Sequence, residues 1–403
     1  MKRLVALTCL ALACGVPDPP PPTGGVRLGP PGGACPRGFG VVSTDYGSTS
    51  VAVLDEGGRV LSGAMLSSGS AGTGTSAALS GDVVLPRDVP TSGHLVLLDR
   101  YPNAVLTWVD VEEGRVLGQA RVATGFPSNP HDYVEVGAAR AYVSRYGKNP
   151  KPGREAMDAG DDVVILDTST FSMTGRIDLE AYGEGFLARP DRMLRLGSAV
   201  LLLLGRTDAG YKTAGDGRIV GLDPATDTPA FAVDLPGVAN CGGFDVSPSK
   251  HALGVSCTGL FADGAGQLGR SDVVVLDATT TPPAVQRRYA VATTLGAPVA
   301  PALAFDGETR LLGVAYGELA ASRGDVLFAL DLGSGEVRKL ATSSRPFTFG
   351  DVRCSACTGA CLFADAERGM VRRFQWNGVA YAELPEIRID AAGGLPPRLL
   401  GGL

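Results

Sequence analysis

Few residues in this chain could carry chemistry. Only three histidines are present, His94, His131 and His251. His251 falls in a short turn and His94 just before a strand, where imidazoles are usually solvated. His131 stands in Asn129-Pro130-His131-Asp132, ahead of the strand-forming Tyr133-Val134-Glu135-Val136. An imidazole there can serve as a general base or metal ligand, or simply cap the strand. Asp158, Asp161 and Asp162 offer carboxylates for a calcium ion, but without EF-hand spacing they read more readily as a plain acidic loop. The sequence has no Gly-x-Ser-x-Gly, His-Glu-x-x-His or phosphate loop. A different theme recurs: Asp45-Tyr46-Gly47, Asp99-Arg100-Tyr101-Pro102-Asn103 and Ser144-Arg145-Tyr146-Gly147-Lys148-Asn149, continued by Arg206-Thr207-Asp208 and Tyr211. Tyr and Arg together suit recognition, through planar stacking area and forked hydrogen bonding. The same residues would equally serve packing, with each Tyr wedged between repeats and each Arg paired to an Asp.

The elements that must position these residues come from a repeat. Val53-Leu54-Asp55, Trp108-Val109-Asp110, Ile165-Leu166-Asp167, Gly221-Leu222-Asp223, Val275-Leu276-Asp277 and Ala329-Leu330-Asp331 return about every 55 residues, and Arg373-Phe374-Gln375 stands where a seventh falls. Short strands at a fixed period of this size, without long helical patterns, predict an all-β fold: a seven-bladed β-propeller of four-stranded antiparallel blades. The third repeat shows the unit. Tyr133-Val134-Glu135-Val136 and Ala141-Tyr142-Val143-Ser144 form one hairpin; Val163-Val164-Ile165-Leu166-Asp167 and Gly175-Arg176-Ile177-Asp178-Leu179 form the second. The recurring Asp ends the third strand, where its carboxylate can accept turn amides. His131-Asp132 then enters an innermost strand, near the mouth of the central channel.

Loop lengths are uneven. Turns between strands one and two and between three and four are short, as at Gly137 to Arg140, Ser249-Lys250-His251 and Pro224 to Thr228. Connections between strands two and three, and between blades, are long: Gly147 to Asp162, Thr207 to Gly217, Thr258 to Ser271, Ser67 to Gly81 and Ala123 to Asp132. In an up-and-down blade both long types emerge on one face, so elaboration is one-sided and binding residues are expected there. The candidate face comprises Tyr46, Arg100, Tyr101, Asn103, Asn129, His131, Asp132, Arg145, Tyr146 and Asn149. This grammar, including Gly243-Phe244-Asp245-Val246-Ser247-Pro248 and Ala141-Tyr142-Val143-Ser144, resembles the YVTN type of β-propeller repeat over roughly residues 35–390. The resemblance implies a seven-bladed propeller, often exported or on the cell surface, and leaves activity open because the family hosts binders and enzymes alike.

The N-terminus reads as an address. Lys2 and Arg3 precede the apolar run Leu4 to Ala13, which is too short to span a bilayer. Ala11-Leu12-Ala13-Cys14-Gly15 resembles a bacterial lipobox with Cys14 as the lipidated residue; Ala11-x-Ala13 also satisfies ordinary secretory cleavage. Residues 1–13 are thus a signal peptide and 14–34 the lipidated Cys with a Pro/Gly-rich spacer; 35–394 form the propeller and 395–403 a tail or closing strand. Val26 to Ala34 is the other candidate for closing the ring. The Gly/Ala/Val/Leu/Arg-rich chain is similar to predicted envelope lipoproteins of myxobacteria. After residue 13 the chain keeps 34 basic against 42 acidic residues, and no basic block, so nucleic acid and anionic lipid headgroups are poor partners. Six cysteines remain: Cys35, Cys241, Cys257, Cys354, Cys357 and Cys361. An even count in an exported chain predicts three disulfides. Cys241 and Cys257 flank a hairpin; Cys354-x-x-Cys357-x-x-x-Cys361 lies in the last blade, and a bond from it to Cys35 would join the two ends of the ring. A metal reading of the cluster lacks a fourth ligand.

The sequence therefore predicts an exported, lipid-anchored, monomeric propeller of the outer-membrane envelope, binding a protein, peptide or glycan through its loop-rich face. It calls for no cofactor beyond the calcium option. The alternative is a lactonase-like hydrolase or lyase with a metal held by Glu, Asn and Asp in the channel.

Overall fold

In the computed structural model, residues 25–29, 36–70, 74–123 and 125–403 are described. Seven sheets of four antiparallel strands form a ring. The innermost strands of blades 2 to 7 are Val83–Val84, Pro130–Gly137, Pro190–Leu196, Cys241–Val246, Val299–Phe305 and Phe349–Cys354. Blade 1 takes its innermost strand from the far end of the sequence. Pro397–Gly402 pairs with Gly38–Thr44, followed outward by Thr49–Asp55 and Val60–Ser67. Of the two candidate closing segments, the C-terminal one completes the ring. Residues 25–29, expected to belong to an unpacked spacer, instead lie along blade 2: Val26 is buried, and its N–H donates to the Val111 carbonyl at 2.8 Å.

The middle strands are buried almost throughout, because apolar side chains on both faces meet the neighbouring blades. Val, Leu and Ile supply most of this interior. Trp108 fills the interval between blades 2 and 3, donating from Nε1 to the Tyr133 hydroxyl at 3.2 Å. The repeating Asp does what its position predicts. Asp55, Asp110, Asp167, Asp223, Asp277 and Asp331 each accept an amide of the following turn. In the seventh blade, where Gln375 replaces the Asp, Asn377 accepts from the amides of Val379 and Ala380 instead.

Cys241 and Cys257 face each other across the first two strands of blade 5 and are bonded. Cys354 and Cys361 are bonded across the first two strands of blade 7. Cys357 is disulfide-bonded as well. Cys35 and Cys14 lie outside the described residues, as do the signal, the lipobox and most of the spacer.

Candidate functional site: the channel mouth

A pocket of about 270 Å³ opens at one end of the central channel. Its rim is built by connections of one face: short ones bearing Tyr46 and Arg100 after the second strands of blades 1 and 2, the long one that starts at Tyr316 after that of blade 6, and the linker bearing Phe347 between blades 6 and 7. The mouth is therefore on the loop-rich face. The pocket walls are inner strands, which contribute Arg192, Pro301, Phe349, Asp351, Arg353 and Arg398.

Buried carboxylates hold the rim in place. Asp325, fully buried at the start of a third strand, accepts four backbone amides: Gly317 and Phe347 on Oδ1, Thr348 and Phe349 on Oδ2, at 2.7–2.9 Å. That fixes the wall bearing Phe347 and Phe349. Asp161 does the same for the Ala188 and Arg189 amides, and Asp272 for Ala292. Each ties the start of a third strand to the linker leading into the next blade. On the adjoining rim Tyr46 adopts a left-handed conformation with φ of 67°. The Thr44 hydroxyl accepts its amide and donates to the Gly81 carbonyl. A Cβ at Gly81 would stand 2.2 Å from the Tyr46 carbonyl group, so only glycine allows this approach.

The other end of the channel is closed. Blade 2's inner strand is only two residues long, and the chain from Leu85 to Ser92 crosses beneath the pocket. The Arg87 amide donates to Asp132 in blade 3, and Thr91 and Ser92 donate to Glu135. Asp88 pairs with Arg195 of blade 4 at 2.6 Å. The Arg87 guanidinium reaches Asp245 of blade 5 at 2.6 Å, and the Pro86 carbonyl accepts from Arg353 of blade 7. Against blade 1, a Cβ at Gly402 would meet Val89 at 2.6 Å. Only a segment on the axis can touch the inner strands of five other blades. The expectation that turns between first and second strands are all short fails here, and this exception makes the channel a blind pocket.

Cations dominate the pocket. Arg87 pairs with Asp245; Arg100 bonds Asp82 from Nε at 2.9 Å; Arg192 stands 3.8 Å from Asp132, and Arg353 3.5 Å from Asp351. Arg398 has no carboxylate partner among the described residues. Its guanidinium donates to the Thr44 and Phe347 carbonyls and lies 4.9 Å from the Tyr46 ring centroid. Burial pushes the Asp351 carboxyl up from its ordinary value, and lifts Asp132 to about 6 against the pull of Arg192 and three amide donors. The pocket thus carries an excess of positive charge in a molecule whose net charge is −6. Among the described residues no three His, Cys, Asp or Glu side chains converge to hold a metal ion. The pocket's donor set, guanidinium groups with carboxylates already paired to them, suits an anion and does not fit a lactonase-type cation.

The predicted face residues divide. Tyr46 and Arg100 line the pocket, and Tyr101 is 62% exposed beside them. Asn103 is spent on its own turn, donating to the Ala78 carbonyl and Asp99. Asn129, at φ 47°, accepts the Tyr146 amide through its carbonyl. His131 bonds Asp191 through Nδ1 at 2.9 Å and stacks on Tyr146, with burial lowering its pKa despite that carboxylate. The stack continues through Arg189, 5.0 Å from the Tyr146 centroid and 4.7 Å from that of Tyr211. Asp132 is fully buried, tying Arg87 to Met193 through their amides. Arg145 is not a surface residue: it is 0% exposed and forked onto Asp162 at 2.8 and 2.7 Å. Asn149 is also buried, bonding the Asp158 carbonyl. Asp158, Asp161 and Asp162 do not converge; Asp158 accepts the Gly153, Arg154 and Glu155 amides while its neighbours serve the partners named above. Arg87, Arg192, Arg353 and Arg398 were not among the predicted face residues. All four lie in or just beyond innermost strands, but at different registers, so no single recurring position in the repeat marks them.

Comparison with known proteins adds fold alone. No family model matches, and no curated protein is recognisably similar in sequence. A Bacteroides fragilis protein provisionally called a 6-phosphogluconolactonase superposes with TM-score 0.56 at 11% identity, over 91% of this chain and 97% of that one. What they share is the seven-bladed propeller fold. Pseudomonas aeruginosa periplasmic gluconolactonase gives 0.53 at 14%, over 90% and 98%. The Cps50 (Swd1) propeller domain of Myceliophteria thermophila gives 0.55 at 10%, over 88% and 100%. Proteins so differently named share the architecture, so activity must be argued from the site.

Proposed function

We propose that this protein is an exported, lipid-anchored binding module of the cell envelope whose ligand enters the channel mouth on the loop-rich face. The observation that carries the reading is the convergence of Arg100, Arg353 and Arg398 with Tyr46, Tyr316 and Phe347 around a pocket closed at its far end. Arginine forks and ring faces on braced loops suit recognition. The signal-like N-terminus, Cys14 and the disulfides support export. The test is retention of envelope-derived peptides and glycans by the purified chain and by a Tyr46→Ala/Arg398→Lys variant. Retention confined to the unaltered chain supports the reading; identical retention overturns it. For the anchor, a fatty-acid probe should label the chain, and Cys14→Ala should abolish the label.

The second reading, a hydrolase, draws on the fold shared with the Pseudomonas aeruginosa gluconolactonase and on His131 paired to Asp191 near the mouth. Turnover of δ-gluconolactone that is lost in His131→Gln would favour it. A pocket without a convergent carboxylate set speaks for the first.

A further inference from the structure

The charge and ring placement at the mouth also speak to ligand class, given that the mouth is the binding site. We infer that the pocket takes a uronate residue of an acidic glycan, with its carboxylate on Arg398 and the sugar rings laid along the neighbouring aromatic faces. The pocket is small, about 270 Å³ and closed below, which suits one ring of a chain rather than a folded partner's surface. The ring contacts line its rim and continue beyond it at Phe261. Tyr316, Phe347 and Phe261 form a contiguous patch with centroids 5.2 to 6.4 Å apart, and Phe261 and Phe347 are 56% and 39% exposed. Tyr46, 65% exposed, stands at the Arg398 side of the mouth. Exposed aromatic faces invite the C–H faces of pyranose rings.

Charge decides between neutral and acidic sugars. Four of the pocket arginines face carboxylates, and Arg398 faces only carbonyls and the Tyr46 ring among the described residues. A half-buried guanidinium with two main-chain acceptors still has N–H donors for a carboxylate, and a planar one is matched best. Tyr46 and the Phe261 patch give sugar rings flanking the bound one exposed aromatic faces to lie on.

The test is calorimetric titration of the full chain with tri-galacturonate, its methyl ester and hexaglutamate. We expect the trimer to bind, the ester to bind at least tenfold more weakly, and 0.5 M salt to weaken the trimer. Arg398→Lys should cost roughly tenfold, since a point charge replaces a fork, and Phe261→Ala several-fold; Phe261 is exposed, so its loss leaves the fold intact. Equal binding of trimer and ester, or a trimer affinity that neither variant changes, overturns the inference. Arg398-dependent binding of hexaglutamate without the trimer overturns the glycan while keeping the mouth as the binding site. If no probe binds and the envelope-ligand retention above is also insensitive to Arg398, both readings fall.

Discussion

At the mouth of the channel, connections that run in places to ten residues and more are held by buried carboxylates such as Asp325, and aromatic rings are left facing solvent. At the opposite end, turns of four to six residues are closed by their own Asp side chains, and one long exception is drawn into the axis. Of the large hydrophobic residues exposed on the described surface, Tyr46, Tyr101, Tyr211, Phe261, Leu319 and Phe347 lie at the mouth, while Val89 and Val379 lie at the other end. Both ends use arginine. At the closed end Arg87 and Arg195 finish in ion pairs spanning blades; at the open end Arg398 does not. The difference teaches that a propeller's two faces can carry similar residues and be specialised by what those residues are paired with.

The largest expected effect would break the open end. Asp325→Ala leaves four buried amides without their acceptor, which should cost about 3–5 kcal/mol in urea unfolding and displace Phe347 and Phe349. A loss under 1 kcal/mol would mean that the wall is held by packing instead. The matching test of the closed end is Arg87→Ala, which strands Asp245 half-buried; about 2–3 kcal/mol and faster hydrogen exchange at Thr91 and Ser92 are expected. Each end also has a disulfide to sharpen the contrast. Cys241–Cys257 pins the mouth side of blade 5 across 16 residues, and Cys354–Cys361 the far side of blade 7 across 7. Loop closure predicts roughly 3 and 2.4 kcal/mol respectively, so paired Cys→Ala variants should rank in that order by thermal unfolding.

Between the two ends sits Asp132. Its folded pKa of about 6 lies above the ordinary carboxylate value. Its contribution to stability is therefore complete below that ordinary value and is lost as pH rises through about 6. Carbon NMR of the Asp carboxyls should find one group titrating near pH 6, absent in Asp132→Asn; a midpoint near 4 would mean that the amide donors outweigh burial. The smallest effect is Tyr46→Ala. It should change stability by under about 0.5 kcal/mol, because the side chain is mostly in solvent, while still weakening ligand binding.

Much of the fold was legible because it is repeated. The Asp-terminated strands, the Cys241–Cys257 hairpin and the one-sided loops all follow from local pattern. The site was legible only where it is local. Tyr46 and Arg100 sit at loop positions that the repeat points to, but the same reasoning placed Arg145 on the surface. What buries Arg145 is Asp162, on the next strand of its own blade, together with the Val122 and Met157 carbonyls. Arg398 escaped notice because it belongs to a tail whose partner strand lies at the other end of the sequence. The plug escaped because a two-residue strand carries too little alternation to register.

The way blade 1 is closed sets an order on assembly. Gly38–Thr44 is among the first strands of the domain to be made, yet its inner edge is covered by residues about 360 positions later. Until Pro397–Gly402 arrives, that edge offers a row of unpaired backbone groups to any passing strand. Chains shortened by those last residues should self-associate before they lose their blades, and the slow step in forming the intact ring should be this final meeting of distant ends.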